Sequence, residues 1–404
     1  MVKSKTVQKR LAALLLAGFP SAAAISAFTA PTLASAREPD VACAQPIAAA
    51  QSPHTSAEQS AYRARLHSFA TGEGIKVAVI DTGVSPHPQL RALRGVDDFV
   101  TPEEPDPLRD CDVHGTAVAG VIAGYDIGIA PRVEILSIRQ TSAHYRHRAA
   151  NSESTSGTLE TLAAALNRAL DEQAKVINIS VVSCIPSDAA DRVDTRDLDA
   201  ALQRAEHEGT VIVAASGNAS SDGCTKEDTV YPAHADTVLA VGALSSAHEF
   251  ADYSIPARNG APELSAEGHV PLALAPGNQW AEAKSTGGKQ AAEFHGTSFA
   301  APVVTGTVAL LAQRYPHDSA AQLRERIYAA AEPGHGFIDP LQALTFHRAQ
   351  DNDKNAEAED EEKTVTVYPA AMHRSQAPTR LMTLLGLLGL AGVIAATLRR
   401  AKQH

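Results

Sequence analysis

"KVAVIDTGVSPHPQL", residues 76–90, runs from an unbroken apolar strand into an acidic turn. Val77, Ala78, Val79 and Ile80 do not alternate with polar residues, so both faces of the strand need covering, as in a parallel sheet lined by helices. The pattern recurs outward from this stretch: "VEILSI" (133–138), "KVINISVV" (175–182), "TVIVAAS" (210–216) and "TVLAVGAL" (237–244) are further apolar runs. Between them, Leu159, Leu162, Ala163, Leu166 and Leu170 share one helix face, as do Leu198, Ala201, Leu202 and Ala205. The pattern predicts an α/β domain with a mostly parallel central sheet and helices on both faces. In such sheets the chemistry sits at the carboxyl ends of the strands, and Asp81 and Asn218 each lie just past one.

Two more segments carry chemistry: "HGTAVAGVIAG" from His114 and "GTSFAAPVVTG" from Gly296. Singly, Asp81 reads as a turn residue, and His114 and Ser298 as helix caps. Together they supply Asp, His and Ser in one of the chain orders in which a nucleophilic triad occurs. A serine hydroxyl needs a base to take its proton as it attacks. His114 suits that role, Asp81 would orient the imidazole, and Ser298 would stand at a helix N-terminus that favours a developing oxyanion.

From about Lys76 to Leu344 these segments resemble the subtilisin-type serine proteases, the subtilases. The resemblance implies a subtilisin-like fold with Asp81, His114 and Ser298 as the triad, and it makes Asn218 of "VIVAASGN" the oxyanion-hole amide. It also places Ser180, Val181, Val182, Ser216 and Gly217 around the substrate pocket. There Val182 and Ser183 replace common glycines and Ser216 a common alanine, which narrows the pocket toward small residues such as Ala. Phe299 stands where many subtilases have an oxidisable methionine. His295 reads as a surface or packing residue. No calcium-loop signature is present, and neither a metal nor a cofactor is expected.

The ends of the chain place this domain outside a membrane. Lys3, Lys5, Lys9 and Arg10, a Leu/Ala-rich run and Ala34-Ser35-Ala36 read as a secretory signal over 1–36. An extension over 37–71 shows no helix or strand pattern, and 72–346 forms the catalytic domain. The spacer over 347–379 sets seven acidic residues between Asp351 and Glu362 against Lys354 and Lys363, which makes it a solvated linker that carries much of the formal net charge of −11. Within 380–398, the uncharged run Leu381 to Leu398 suits a transmembrane helix, and Arg399, Arg400 and Lys402 put the tail over 399–404 in the cytoplasm. The polar stretch Gln140–Gly157 reads as a long surface loop. No basic patch suggests nucleic acid.

Cys43, Cys111, Cys184 and Cys224 all fall in the exported part, where an even count reads as two disulfides. Four cysteines allow three pairings. Cys184–Cys224 would join two segments that each follow a core strand, and Cys43–Cys111 would staple the extension beside His114, so these pairs are favoured. No CxxC pair supports a zinc site.

The whole layout, with Cys43 in a short extension, "SIRQ" before a long loop, Cys184 after "NISVVS", and "GFIDPLQAL" closing the domain, resembles the mycosins. These are membrane-anchored subtilases associated with type VII secretion systems. The resemblance implies an extension that wraps the domain without acting as a removable inhibitor, and two partners: a secreted protein substrate and the secretion membrane complex. A general cell-surface protease and a mainly structural component are the alternatives.

Overall fold

The computed structural model describes residues 38–50, 55–145, 157–219, 224–246, 249–257, 263–287 and 291–347. Its main sheet has eight strands in the order Glu249–Phe250, Val238–Ser246, Val211–Ala215, Val176–Ile179, Lys76–Asp81, Glu134–Arg139 and Leu93–Asp98, with Leu264–Glu267 also paired to Val238–Ser246. All neighbours are parallel except the short Glu249–Phe250 strand.

The apolar runs cover both faces because a strand alternates its side chains. Val77, Val79, Ile135, Val211 and Val213 pack into one core with helices Gly115–Ala123 and Thr297–Arg314. Ala78, Ile80, Leu136, Ile138, Ile177 and Ile179 pack into a second core with helices Leu159–Asp171 and Arg196–Glu208. The fold is therefore the expected α/β arrangement, a mostly parallel sheet with helices on both faces. Thr297–Arg314 is buried nearly all round, as expected of a helix held between layers.

The extension is structured, contrary to the sequence expectation. Gln45–Ala48 pairs antiparallel with Gln279–Ser285, in a second sheet that also holds Ala292–His295, His269–Val270 and Ala273–Ala275. Ala57–Phe69 is a helix opened by a capping box: Ser56 Oγ accepts from Gln59 N at 3.1 Å, and Gln59 Oε1 accepts from Ser56 N at 2.9 Å. It docks through Leu66, which is buried, and through Tyr62, whose hydroxyl donates to Asp339 Oδ2 at 2.8 Å. Hydrophobic periodicity misses this helix because Leu66 is its one buried side chain; the Ser56-x-x-Gln59 spacing is the signal that finds it. The segment expected as a surface loop begins buried: Gln140, Ser142, His144 and Tyr145 are all covered.

Cys43 is bonded to Cys111 and Cys184 to Cys224. Among the described residues no helix is long and apolar enough to cross a membrane. The expected signal over 1–36, the linker beyond His347, the transmembrane helix over 380–398 and the tail lie outside the described residues.

Candidate active site

Lys76–Asp81, Val176–Ile179 and Val211–Ala215 are adjacent parallel strands, so their carboxyl ends bring Asp81, Ser180 and Asn218 into one neighbourhood. Asp81 closes its strand fully buried. Its Oδ1 accepts from Thr82 N at 2.7 Å and lies 2.7 Å from His114 Nδ1. Its Oδ2 is buried without a hydrogen-bond partner. Glycines allow this close approach: a Cβ on Gly115 would fall 2.1 Å from Gly83 O, and one on Gly83, at φ +97°, would fall 2.5 Å from Arg109 O.

His114 begins the helix Gly115–Ala123 but gives it no side-chain cap. Asp110 does that instead. Its carboxylate accepts from His114 N at 3.1 Å, Thr116 N at 2.9 Å, Asp112 N at 3.1 Å and Thr82 Oγ1 at 2.9 Å. Burial pushes the Asp110 carboxyl above its usual range, against the opposing hydrogen bonds from Thr116. These bonds span Val113, a β-branched residue held at φ 51°, a backbone state costing about 1–3 kcal/mol that persists only where its surroundings impose it. Sequence reasoning missed Asp110. The available signal was a helix opening on His-Gly-Thr with no capping side chain of its own, whose first N–H groups must find an acceptor elsewhere.

Ser298 lies in the first turn of Thr297–Arg314, and its Oγ donates to Ser180 O at 2.9 Å, not to His114. The exchange is reciprocal, since Ser180 Oγ donates to Ser298 O at 2.9 Å. Pro302 makes this second bond available. It stands four residues on, where a backbone N–H would otherwise bond the Ser298 carbonyl, and proline has none. Behind Ser180, Asn178 Nδ2 donates to Ser180 Oγ at 2.9 Å and Thr305 Oγ1 donates to Asn178 Oδ1 at 2.8 Å. An Asn in an apolar strand and a Thr in a buried helix are the sequence signals for this network. His114 is near Ser298, its ring centroid 5.3 Å from that of Phe299. Asn218 Oδ1 accepts from Thr297 N at 3.0 Å and Thr297 Oγ1 at 3.1 Å. That leaves Nδ2 beside Gly296, 3.2 Å from where a Cβ on that glycine would stand.

Three of the five expected pocket residues line cavities among the described residues. Ser216, its buried Oγ without a partner, lines a cavity of about 470 Å³ with Asp191, Asp228, Tyr231 and His234. Val181 and Val182 line a separate recess of about 60 Å³ with Gln140 and Thr141. Gly217 is roofed by Val230 and Ile255.

On the parallel sheet, a buried Asp–His pair thus lies beside a serine at a helix N-terminus and a free amide, the groups expected of a subtilisin-like serine hydrolase. The sequence profile of the Subtilase family matches residues 72–363, and the chain belongs to that family, as a serine endopeptidase. Within it the chain is a mycosin. It is 35% identical over 323 residues to Mycosin-4 of Mycobacterium tuberculosis (strain ATCC 25618 / H37Rv), covering 72% of this chain and 69% of that one. The crystal structure of MycP1 from Mycobacterium smegmatis superposes with a TM-score of 0.69 at 31% identity, over 77% of this chain and 90% of that one. A chain in the structure of an intact ESX-5 inner membrane complex superposes with a TM-score of 0.68 at 28% identity, over 89% of this chain and 94% of that one.

Proposed function

We propose that this chain is a membrane-anchored extracytoplasmic serine endopeptidase that acts with a type VII secretion system, both processing a secreted protein and serving as a structural part of the complex. The observation that carries the catalytic reading is the 2.7 Å contact between His114 Nδ1 and the buried Asp81 Oδ1, beside Ser298. A rotation about χ1 takes the Ser298 hydroxyl from Ser180 O to His114 Nε2. As Oγ attacks the scissile carbonyl, Nε2 takes its proton, and Asp81, in contact with Nδ1 through Oδ1, stabilises the imidazolium. Ser298 N–H and Asn218 Nδ2 receive the oxyanion. His114 then protonates the leaving amine, and water attacks the acyl-enzyme by the same base.

The structural reading draws support from the extension, which is disulfide-bonded at Cys43 and hydrogen-bonded as a strand edge along Gln45–Ala48. Such a segment presents a fixed surface. The likeness to a chain within an ESX-5 inner membrane complex supports the same partner here. The anchor is the expected span over 380–398.

Labelling of the purified chain with a fluorophosphonate tests folding, triad assembly and cleft access together. Modification of wild type and none of Ser298→Ala is expected; equal labelling of both sinks the assignment. In cells, a Ser298→Ala strain is expected to secrete its substrate uncleaved, whereas a deletion strain does not secrete, since an assembly loses a stabilising partner by mass action. Equal loss in the two strains removes the structural half of the proposal.

A further inference from the structure

His269 and His295 stand directly opposite each other on the paired strands His269–Val270 and Ala292–His295. Their rings stack with centroids 4.2 Å apart and planes 6° apart. Glu293, two residues before His295 and so on the same face of its strand, places Oε2 2.8 Å from His295 Nε2. One donor atom from each of the three side chains lies within 4.8 Å of the others. Two imidazoles and a carboxylate are the donor set of zinc-class sites, which hold three protein ligands and leave a fourth position for water.

We propose that His269, Glu293 and His295 bind a divalent transition metal of the zinc class, clamping the strand that leads into Ser298 to its neighbour. Tetrahedral coordination needs donors about 3.4 Å apart, so edges of up to 4.8 Å must close, the longest by about 1.4 Å, while the 2.8 Å Glu293–His295 contact opens slightly. Stacked rings carry their lone pairs side by side, and turning them edge-in uses the torsion about Cβ–Cγ, whose wells are broad. His295 and Glu293 are exposed and have room to turn. The clamp would act on a specific joint: Gly296, next to His295, donates its N–H to the carbonyl of Gly268, next to His269, at 2.9 Å. The ion therefore closes a pairing that already positions the turn before the nucleophile. No short sequence motif reveals these ligands, because two distant segments meet only when the second sheet forms.

The test is zinc uptake by the chelator-stripped full chain in detergent, by equilibrium dialysis with Zn²⁺ alone, across wild type, His269→Ala/His295→Ala, Glu293→Gln and His114→Ala. One ion per wild-type chain is expected, with a thermal midpoint that rises with zinc. The double variant loses that ion, Glu293→Gln binds it at least about tenfold more weakly, and His114→Ala keeps it. Cobalt in place of zinc is expected to give visible d–d bands that vanish in the double variant; should that variant misfold, Glu293→Gln and the cobalt spectrum decide. No uptake by wild type, uptake unchanged in the ligand variants, or uptake lost in His114→Ala overturns the proposal, the last by placing zinc at the catalytic histidine.

Discussion

Thr82 Oγ1 donates to Asp110 Oδ1 at 2.9 Å and accepts from Gly115 N at 3.0 Å, tying the turn after Asp81 to the segment that carries His114. The Asp81–His114 contact is thus held from behind as well as through its own hydrogen bond. Asp110 is a positioning residue in this arrangement, since it fixes the backbone on both sides of the strained Val113.

Asp110→Ala is expected to lower kcat about 10- to 100-fold while KM changes little, because a misplacement of about 1 Å at a reacting group costs that much. Asp110→Asn keeps an acceptor and should recover part of the loss. Steady-state peptide hydrolysis checks this. A rise in KM with kcat intact would mean that Asp110 shapes substrate binding instead.

Much of this candidate site is legible in the sequence because each residue of the proposed triad sits in a contiguous signature whose neighbours serve the same purpose: Gly83 and Gly115 let two backbones meet, and Pro302 frees a carbonyl. What stayed hidden depends on contacts between distant segments. Asn178, Thr305 and Asp110 matter through partners that only the fold brings near. The sheet joining Gln45–Ala48 to Gln279–Ser285 is built from short strands whose apolar residues are mostly alanines, too weak a pattern to stand out. The pocket residues rest on likeness of position alone: Val181 follows the strand Val176–Ile179 and Ser216 the strand Val211–Ala215, and each lines a cavity of its own.

The two disulfides close chain separations of 68 and 40 residues. In the chain-entropy picture each contributes roughly 2–4 kcal/mol. Cys43→Ser/Cys111→Ser should lower the thermal midpoint and also slow catalysis, since Cys111 adjoins Asp110, whereas Cys184→Ser/Cys224→Ser should lower the midpoint with a smaller effect on rate. Calorimetry and peptide hydrolysis on the two variants separate these outcomes. Equal losses of rate would remove the link between the extension and His114.

Acid should destabilise the protein in two steps. Burial holds His67, His87 and His234 below the ordinary histidine pKa. The unfolded chain therefore takes up protons from about pH 6.5 while the folded chain resists, and the stability present above that pH is lost as pH falls toward the folded values. At His87, Nδ1 accepts from Gln89 N at 3.2 Å, a bond that protonation there would break. Asp98 adds a lower step: burial opposes its charge, but the Arg139 guanidinium and hydrogen bonds from Thr101, Asp106 and Val100 hold its carboxyl below the usual range. Its contribution is lost as pH falls below about 3.8. The thermal midpoint should drop between about pH 7.5 and 5, less steeply in His87→Asn, and drop again below about pH 4. A midpoint that rises on mild acidification contradicts the assignment.

The most direct test of the central claim is the rate of peptide hydrolysis by Asp81→Ala, His114→Ala, Ser298→Ala and the triple variant, measured side by side. If the three residues act as one unit, each single change should lower turnover by about 10⁴- to 10⁶-fold, the range known for a subtilisin triad, and the triple variant should be little worse than Ser298→Ala alone. Near-normal hydrolysis by His114→Ala, or losses that multiply from one variant to the next, would contradict it.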